Sequence, residues 1–505
     1  MDSSNDGKVE MFFLPWIVQR GHMIPAIDTA RVFAAHGAKV TIITTPGYAQ
    51  LFQKSIERDQ SLGHEISFHT FKLPTAEFGL PEGCENLLAG SLGMMEKLCL
   101  AIQKLQQPIE QFIRERRPDC IVSDMFHPWT ADVGARLAVP RFLLYVTGLF
   151  SLCCEESLRR YTPQDKVNSE AESFALPDLP DDNIVFTKSK IPYWFTKKGT
   201  GYGQFADNII ESELKSYGII INSFYDLEPA YAEYFKNEMG RKLWLVGPVC
   251  LFNNAAEEKA ERGEKNSIDE GTILKWLDSK QPKSVIYVSF GSQSSMVPEQ
   301  FLELAHALEA SGCPFIWVAR DMSEYGQDEK EKKEGSENRG KKLPEGFEER
   351  VTKSGQGLIL KKWAPQLLIL EHGNTGGFLT HSGWNSVIEG IGAGVPMITW
   401  PLIADQFFNE SLVVDVLKIG IRVGNEKWSS YIWEPKMSVT REKVEAAVKW
   451  LMGGGSDEVE EMRRRVKELS EKAKKAANPG GSSNADIIAL INELKSRRPI
   501  CANNL

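Results

Sequence analysis

Residues 363–406 read WAPQLLILEHGNTGGFLTHSGWNSVIEGIGAGVPMITWPLIADQ. Within this stretch, residues 376–380 end a strand, residues 381–386 form a turn of small and polar residues, and residues 387–391 begin a helix. A turn between a strand and a helix leaves free backbone N–H groups at the positive end of the helix. The pattern therefore predicts an anion-binding site within an α/β domain.

Several side chains in this stretch suit a nucleotide ligand. Trp363 offers a flat face for a nucleobase, and Glu389 lies about one turn inside the helix, where a carboxylate can accept hydrogen bonds from ribose hydroxyls. Further candidates for contacts with an anion or a sugar are His381, Asn385, Ser386, Asp405 and Gln406. Taken singly, each feature also has an ordinary structural explanation: a core Trp, a solvated Glu, an N-capped turn. The residues alone leave both interpretations open.

Short apolar segments alternate with amphipathic helical segments along both halves of the chain. The first half has such segments at 11–18, 39–45, 119–123, 141–147, 217–222 and 242–246, and the second at 284–290, 314–319, 357–360, 375–379 and 395–400. Parallel sheets covered by helices on both faces produce this alternation. The sequence therefore predicts an α/β fold with two Rossmann-like domains whose parallel sheets face one cleft.

The domain boundaries follow from changes in composition. Residues 251–267 are polar, charged and poor in β-branched residues, which is typical of a linker. The N-terminal domain is accordingly assigned to 1–250 and the C-terminal domain to 268–476. Residues 477–505 are assigned to a final helix and tail that can pack back on the N-terminal domain. Residues 323–342 are dominated by Glu, Lys, Gly and Asp, which predicts a surface insertion.

The composition limits the possible functions. The 505 residues carry a net charge of −9, which disfavours nucleic acid as a partner. The longest apolar stretch, residues 142–154, is too short for a helix that spans a membrane, and the acidic N-terminus does not resemble a secretory signal. The eight cysteines show no paired spacing, so we expect reduced thiols, a cytoplasmic location and no metal centre.

The stretch at 363–406 resembles the signature box of plant secondary-product UDP-glycosyltransferases. The match includes WAPQ at 363–366, the HxGWNS turn at 381–386, Glu389, GVP at 394–396, and the closing Asp405 and Gln406. QRGHMIP at 19–25, ITTP at 43–46, INSFYDLEP at 221–229, VGP at 246–248 and VSFGS at 288–292 look like landmarks of the same family. The resemblance is closest to the branch that acts on flavonoids, phenolics and triterpenoids. It implies the GT-B fold and an inverting enzyme with UDP-sugar as co-substrate.

The resemblance implies a role for each residue of a donor site. Trp363 would stack on uracil, Gln366 would sit beside the base and ribose, and Glu389 would hold the ribose hydroxyls. The pyrophosphate would contact His381, Asn385, Ser386 and Ser292, the sugar hydroxyls would contact Trp384, Asp405 and Gln406, and Ala364 completes the site. Ser382 stands where the family usually has Cys, and Ser suits the same turn.

His22 and Asp124 each follow a predicted strand, so both can face the cleft. From the residues alone, His22 could equally be a cap or core histidine, and Asp124 a plain N-cap. The resemblance implies that His22 is the base that takes the proton of the acceptor hydroxyl and that Asp124 fixes its tautomer. The reaction would be a direct displacement with inversion. Arg20 intervenes between Gln19 and Gly21, where the family usually reads Gln-Gly-His, and its effect on this loop stays open.

The acceptor is the least determined part of the prediction. Apolar and aromatic candidates for its pocket are Trp16, Met94, Met125, Phe126, Phe150 and Phe205. Such a pocket suits flavonoids, phenols and triterpenoids alike, and O-, C- and N-acceptors all stay open. We expect a monomer whose partners are a small-molecule aglycone and a UDP-sugar, with neither a metal nor another cofactor, since no DxD-like metal clamp is apparent.

Two rival functions differ in their sequence signatures. A nucleotide-dependent oxidoreductase would show GxGxxG after the first strand, where this chain has QRGHMIP. We call residues 363–406 the donor box. A non-catalytic nucleotide-sugar-binding protein would lack His22 or residues of this donor box. The donor sugar is predicted to be glucose, because the amide of Gln406 can both donate and accept hydrogen bonds and the uncharged Trp384 offers no partner for the carboxylate of glucuronate. Galactose and xylose stay as alternatives.

Overall fold

The computed structural model describes residues 7–81, 84, 92–181, 183–196, 201–253, 255–260, 262, 268–292, 296–319, 343–428 and 438–498. The predicted insertion at 323–342 lies outside the described residues, as do parts of the predicted linker at 251–267 and the end of the tail after residue 498.

The strands alternate with helices along the described chain. In chain order the strands are β1 (Glu10–Leu14), β2 (Lys39–Thr44), β3 (Ile66–Thr70), β4 (Cys120–Asp124), β5 (Arg141–Tyr145), β6 (Ser173–Ala175), β7 (Val185–Thr187), β8 (Gly218–Ile221), β9 (Leu243–Leu245), β10 (Val285–Ser289), β11 (Phe315–Val318), β12 (Gly357–Leu360), β13 (Thr375–Thr380), β14 (Met397–Thr399) and β15 (Gly420–Arg422).

The α-helices lie mostly between consecutive strands. They are α1 (Arg20–Ala35), α2 (Pro46–Ser61), α3 (Leu92–Gln103), α4 (Gln106–Arg116), α5 (Trp129–Leu137), α6 (Leu149–Tyr161), α7 (Gly201–Leu214), α8 (Pro229–Asn237), α9 (Ala256–Ala260), α10 (Glu270–Asp278), α11 (Pro298–Ser311), α12 (Phe347–Lys353), α13 (Gln366–Glu371), α14 (Trp384–Ala393), α15 (Gln406–Ser411), α16 (Arg441–Met452), α17 (Asp457–Ala477) and α18 (Ser482–Ser496). Among the described residues, no helix is both long and apolar enough to cross a lipid bilayer.

Two parallel sheets organise these elements. The first has the strand order β3-β2-β1-β4-β5-β8-β9 and the second the order β12-β11-β10-β13-β14-β15, while β6 and β7 form a separate antiparallel pair. The strand order reverses between β1 and β4 in the first sheet and between β10 and β13 in the second. Open parallel sheets bind ligands at the carboxyl ends of the strands at such a reversal. The predicted α/β fold with two parallel sheets is confirmed.

The sheets are buried and the two halves of the chain share apolar contacts. Strands β4, β5 and β13 are buried at every position, as expected for strands covered by helices on both faces. One continuous apolar cluster joins residues of both halves, and within it the rings of Phe186 and Phe408 lie 5.1 Å apart. This packing holds the carboxyl edges of the two sheets beside each other.

The last helix, α18, contacts the first sheet. Asp486 Oδ2 accepts a hydrogen bond from the backbone N–H of Leu245 at 2.8 Å, and Ser483 Oγ donates to Gly247 O at 2.6 Å. Asp486 thereby satisfies a backbone donor of β9 at the edge of the sheet, which would otherwise need water or another strand. The end of the described chain is in this way tied to the N-terminal half.

Candidate active site

A cleft of about 1740 Å³ is lined by residues that follow strands of both sheets. Predicted site residues in its lining are Trp16, His22, Met125, Phe126, Phe205, Ser292, Trp363, Ala364, Gln366, His381, Trp384, Asn385, Ser386, Glu389, Asp405 and Gln406. Asp124 lies beneath His22 and is buried. The fold thus brings the two predicted centres, one from each half of the chain, to a single cavity.

His22 and Asp124 form a hydrogen-bonded pair at the reversal in the first sheet. His22 lies in the first turn of α1, and its Nδ1 is 2.7 Å from Oδ2 of Asp124, the last residue of β4. The other carboxylate oxygen, Oδ1, accepts a hydrogen bond from Phe126 N at 2.9 Å. Because an ionised carboxylate only accepts, this network assigns the proton to Nδ1. The Nε2 atom of His22 is then free to accept a proton.

An aromatic wall stands beside this pair. The ring of Phe126 lies 4.9 Å from the His22 ring, 5.3 Å from the Trp16 ring and 5.7 Å from the Phe205 ring. Met125 also lines the cleft. An apolar surface next to a base suits a lipophilic ligand whose polar atom reaches the imidazole.

Two predicted pocket residues lie elsewhere. Phe150 is completely buried and packs against Tyr231, with ring centroids 5.0 Å apart. Met94 packs against the apolar core of the first sheet, and neither side chain lines the cleft. The residues of α6 that line the cleft include Leu152, which lies about 200° around the helix from Phe150. The structure thus places these two predicted residues outside the cleft lining, because residue type does not reveal which face of a helix meets the cavity.

The predicted anion site lies at the start of α14. His381 is held between two glycines: a Cβ on Gly291 or Gly383 would come within 2.6 or 2.5 Å of its Nε2. Burial lowers the pKa of His381 to about 4, so its imidazole is neutral at pH 7. A neutral imidazole can still offer a hydrogen bond to an anion in this turn. Ser382 has a φ of 62°, and its small side chain fits this tight turn.

Glu389 is anchored by two partners. Arg262 Nη1 donates to Oε1 at 2.7 Å, and Gln366 Nε2 donates to Oε2 at 2.8 Å. Arg262 also donates from Nε to Asp28 of α1, at 3.1 Å. The sequence analysis missed Arg262 because it lies in the polar stretch assigned to a linker, where a single Arg gives no signal. The structure buries it between α1 and the donor box.

Asp405 and Gln406 are held by the protein at the other end of the donor box. Asp405 Oδ2 accepts hydrogen bonds from Thr147 Oγ1 and from Asn409 Nδ2. Gln406 Oε1 accepts from the backbone N–H groups of Leu402 and Ile403, at 2.8 and 3.0 Å. Since backbone N–H groups only donate, the amide of Gln406 is left with its NH₂ to offer a ligand. It does not have the free acceptor oxygen that the sequence analysis expected.

Trp384 also differs from the prediction. Its indole Nε1 donates to Asn222 O at 2.8 Å, and its ring packs so closely on Gly148 that a Cβ there would come within 2.7 Å. The side chain therefore joins α14 to the first half of the chain and has no donor left for a sugar hydroxyl. Only the backbone of Trp384, at the helix N-terminus, remains for a ligand.

Two contacts cross the cleft next to His22. Asn385 Nδ2 donates to Gly21 O, and the guanidinium of Arg20 lies 5.4 Å from the centroid of the Trp363 ring. The latter distance is typical of a cation–π contact. Arg20, the residue that interrupts the family pattern, therefore contacts the ring that the sequence analysis assigned to uracil.

The chain is similar to known proteins along nearly its whole length. The profile of the family described as "UDP-glucoronosyl and UDP-glucosyl transferase" matches residues 248–430. Abscisate beta-glucosyltransferase of Phaseolus angularis is 47% identical over 98% of both chains. Scopoletin glucosyltransferase of Nicotiana tabacum is 44% identical over 97% of this chain and 98% of its own. The crystal structure of Glycyrrhiza uralensis UGT73P12 complexed with glycyrrhetinic acid 3-O-monoglucuronide matches with a TM-score of 0.89 and 43% identity, over 97% of this chain and 96% of that one.

These similarities extend over both sheets and over the loops that carry the donor box and the His22–Asp124 pair. They confirm the GT-B fold that the sequence analysis expected. They also agree with the family resemblance drawn from residues 363–406. On the strength of this agreement along nearly its whole length, the chain belongs to the family of plant UDP-glycosyltransferases.

Proposed function

We propose that the protein transfers glucose from UDP-glucose, with inversion, to a hydroxyl of a small lipophilic plant metabolite such as a flavonoid, a phenolic or a triterpenoid. The observation that carries the proposal is the His22–Asp124 pair, with an Nδ1–Oδ2 distance of 2.7 Å, in the same cleft as the donor box. The relatives named for glucosyl transfer to abscisate and scopoletin support a small plant metabolite as acceptor.

The reaction needs a base, a nucleophile and a stabilised leaving group. His22 Nε2 takes the proton from the acceptor hydroxyl while its oxygen attacks the anomeric carbon of the sugar. The bond from that carbon to the phosphate oxygen breaks, and its electron pair leaves with UDP. Asp124 stabilises the imidazolium that forms. Attack from the face opposite the phosphate converts an α-linked donor into a β-linked product.

The leaving UDP is met by donors that are already in place. The backbone N–H groups at the start of α14 point at the position of the pyrophosphate, and His381, Asn385, Ser386 and Ser292 surround it. Preorganised donors of this kind stabilise developing charge without a reorganisation cost. We therefore infer that no metal is required. Trp363, Ala364 and Gln366 would hold uridine, and Asp405 with the NH₂ of Gln406 would hold the sugar.

The organisation of the chain is part of the same proposal. We assign the acceptor to the domain at 1–250 and the UDP-sugar to the domain at 268–476, with 251–267 as linker and 477–505 as terminal helix and tail. We also propose a monomer, and a cytoplasmic location because every cysteine in the described residues is a free thiol.

Glu389→Ala is expected to weaken the binding of UDP itself by roughly 10–100-fold, because hydrogen bonds to a charged group contribute about 1.5–3 kcal/mol. Arg262 keeps Asp28 as its partner, so the fold should survive the change. Isothermal titration calorimetry with UDP measures the effect. Glu309→Ala is the matched control, since Glu309 pairs with Arg350 on the surface. An unchanged UDP affinity in Glu389→Ala would rule out the ribose contact.

The donor preference tests the proposed function directly. UDP-glucose, UDP-galactose, UDP-xylose and UDP-glucuronate are each assayed on a panel of aglycones, with products read by mass. UDP-glucose should give the highest kcat/KM. UDP-glucuronate should be poorer by about 100-fold or more, because burying its carboxylate beside that of Asp405 without a cationic partner costs several kcal/mol. A higher kcat/KM with another donor would overturn the assignment of glucose. Absence of sugar transfer to every aglycone would overturn the proposed function.

A further inference from the structure

Helix α6 turns one stripe of side chains toward the cleft. Leu152, Glu155, Leu158 and Arg159 all line the cavity, and their spacing places them on one face of the helix. Arg159 is paired with Glu156, its neighbour on the same helix. Glu155 is therefore the one acidic residue of this stripe. The two leucines are apolar, and Arg159 already has an ion-pair partner.

Two buried carboxylates near this stripe receive hydrogen bonds from the protein. Glu213 accepts from Tyr145 Oη at 2.6 Å and from Arg241 Nε at 2.8 Å, and Glu228 accepts from Ser223 Oγ at 2.6 Å. Among the described residues, no donor reaches Glu155. Glu155 is partly exposed in the cleft. Its carboxyl group, which no described protein donor engages, is therefore available to a ligand.

The surroundings of Glu155 favour its neutral form. Burial, together with the carboxylates of Asp405 and Glu213, raises the pKa of Glu155 to about 8, against an opposing effect of Arg159. Asp405 faces Glu155 from the residue before α15, Glu213 from α7 and Arg159 from α6. The neutral Tyr145 faces it from β5. At pH 7 the carboxyl is protonated and can donate a hydrogen bond as well as accept one.

We propose that Glu155 determines acceptor specificity by hydrogen bonding a second oxygen of the aglycone, one that lies away from the reacting hydroxyl. The preferred acceptor is then a lipophilic molecule with polar oxygens at two positions, one at His22 and one at Glu155. The proposal rests on the function proposed above. Assignment to the acceptor follows from the position of Glu155 on α6 of the N-terminal half. The donor sugar already has Asp405 and Gln406.

The test uses two substitutions and a matched control in the full-length enzyme. Glu155→Leu removes the polar atoms, Glu155→Gln keeps a neutral donor of the same shape, and Glu309→Gln alters a surface carboxylate that pairs with Arg350 and does not line the cleft. The probes are kaempferol, with hydroxyls at both ends, and methyl oleanolate, a triterpenoid with one hydroxyl and one ester. Dissociation constants are measured on the UDP-saturated enzyme, and kinetic constants for each probe that is turned over.

Glu155→Leu should weaken the binding of at least one probe by about tenfold or more at pH 7. Glu155→Gln should change it by less than threefold, and Glu309→Gln should match the wild type. The neutral form is present below pH 8 and is lost above it, so wild-type affinity relative to Glu155→Gln should fall by about tenfold at pH 9, one unit above the pKa. Dividing the wild-type affinity by that of Glu155→Gln at the same pH removes the effect of the probe's own ionisation.

Three outcomes would overturn the proposal. They are equal affinity of Glu155→Leu and wild type for both probes, a pH dependence that Glu155→Gln retains, and a loss confined to the KM of UDP-glucose. The last outcome would move Glu155 to the donor site. Failure of the proposed function is distinguishable, because then the wild-type enzyme itself transfers no sugar, whatever the binding of the probes.

Discussion

Replacing His22 by alanine is expected to lower the turnover of an aliphatic-alcohol acceptor by about 10²–10⁴-fold, the usual contribution of general-base catalysis, while UDP binds as before. The physical reason is the geometry of the pair: Nδ1 is engaged by Asp124 at 2.7 Å, so Nε2 is the one ring atom that can accept the acceptor's proton. An aliphatic alcohol has a pKa far above neutrality and needs this base. Steady-state kinetics and calorimetry with UDP measure the two quantities separately.

The interpretation of the His22→Ala result depends on the acceptor and on the control variant. An acidic phenol is a poor probe, because it can lose its proton without the enzyme. His306→Ala is the matched control, since His306 lies on α11 and does not line the cleft. Near-wild-type turnover of an aliphatic alcohol by His22→Ala would show that another group is the base.

The parts of the fold that the sequence predicts are those whose residues are buried on both faces. Strands β4 and β5 are buried at every position, and their continuous apolar segments are visible in the sequence. Strand β3 was not predicted, because it lies at the edge of its sheet and only its first residue, Ile66, is buried. Strand β15 and the β6–β7 pair were missed because each of these strands buries only one of its three residues, which leaves no continuous apolar segment in the sequence.

For the site, local sequence predicts position, whereas tertiary contacts decide what each side chain can still do. The residues of 363–406 reach the cleft because one strand–turn–helix unit carries most of them. That Gln406 has its oxygen bound by Leu402 and Ile403, and that the indole of Trp384 is bound by Asn222, depends on contacts that no local pattern encodes. Arg262, whose partners lie far away in the chain, was missed for the same reason.

Asp124→Asn is the sharper test of the dyad, because it preserves the shape of the pair and reverses its hydrogen bonding. In the wild type, Oδ1 accepts from Phe126 N at 2.9 Å and Oδ2 faces His22 Nδ1. A backbone N–H can only donate, so in the variant the amide oxygen must face Phe126 and the NH₂ must face His22. The imidazole then accepts at Nδ1 and carries its proton on Nε2, the tautomer that cannot act as a base. Turnover should fall by roughly 10⁴-fold, as in other enzymes where such a change inverts the tautomer.

Kinetic constants and imidazole chemical shifts separate a positioning role for Asp124 from a merely structural one. If the carboxylate positions His22, kcat falls while the KM for UDP-glucose and the affinity for UDP stay near wild type, and nitrogen chemical shifts of the imidazole report the change of tautomer. Asp132→Asn is the control, because Asp132 pairs with Lys215 at the surface of α5. The double variant His22→Ala/Asp124→Asn should lose little more than His22→Ala alone, since two residues that act as a unit are not additive. Fully additive losses, or a loss confined to donor binding, would mean that Asp124 does not act through His22.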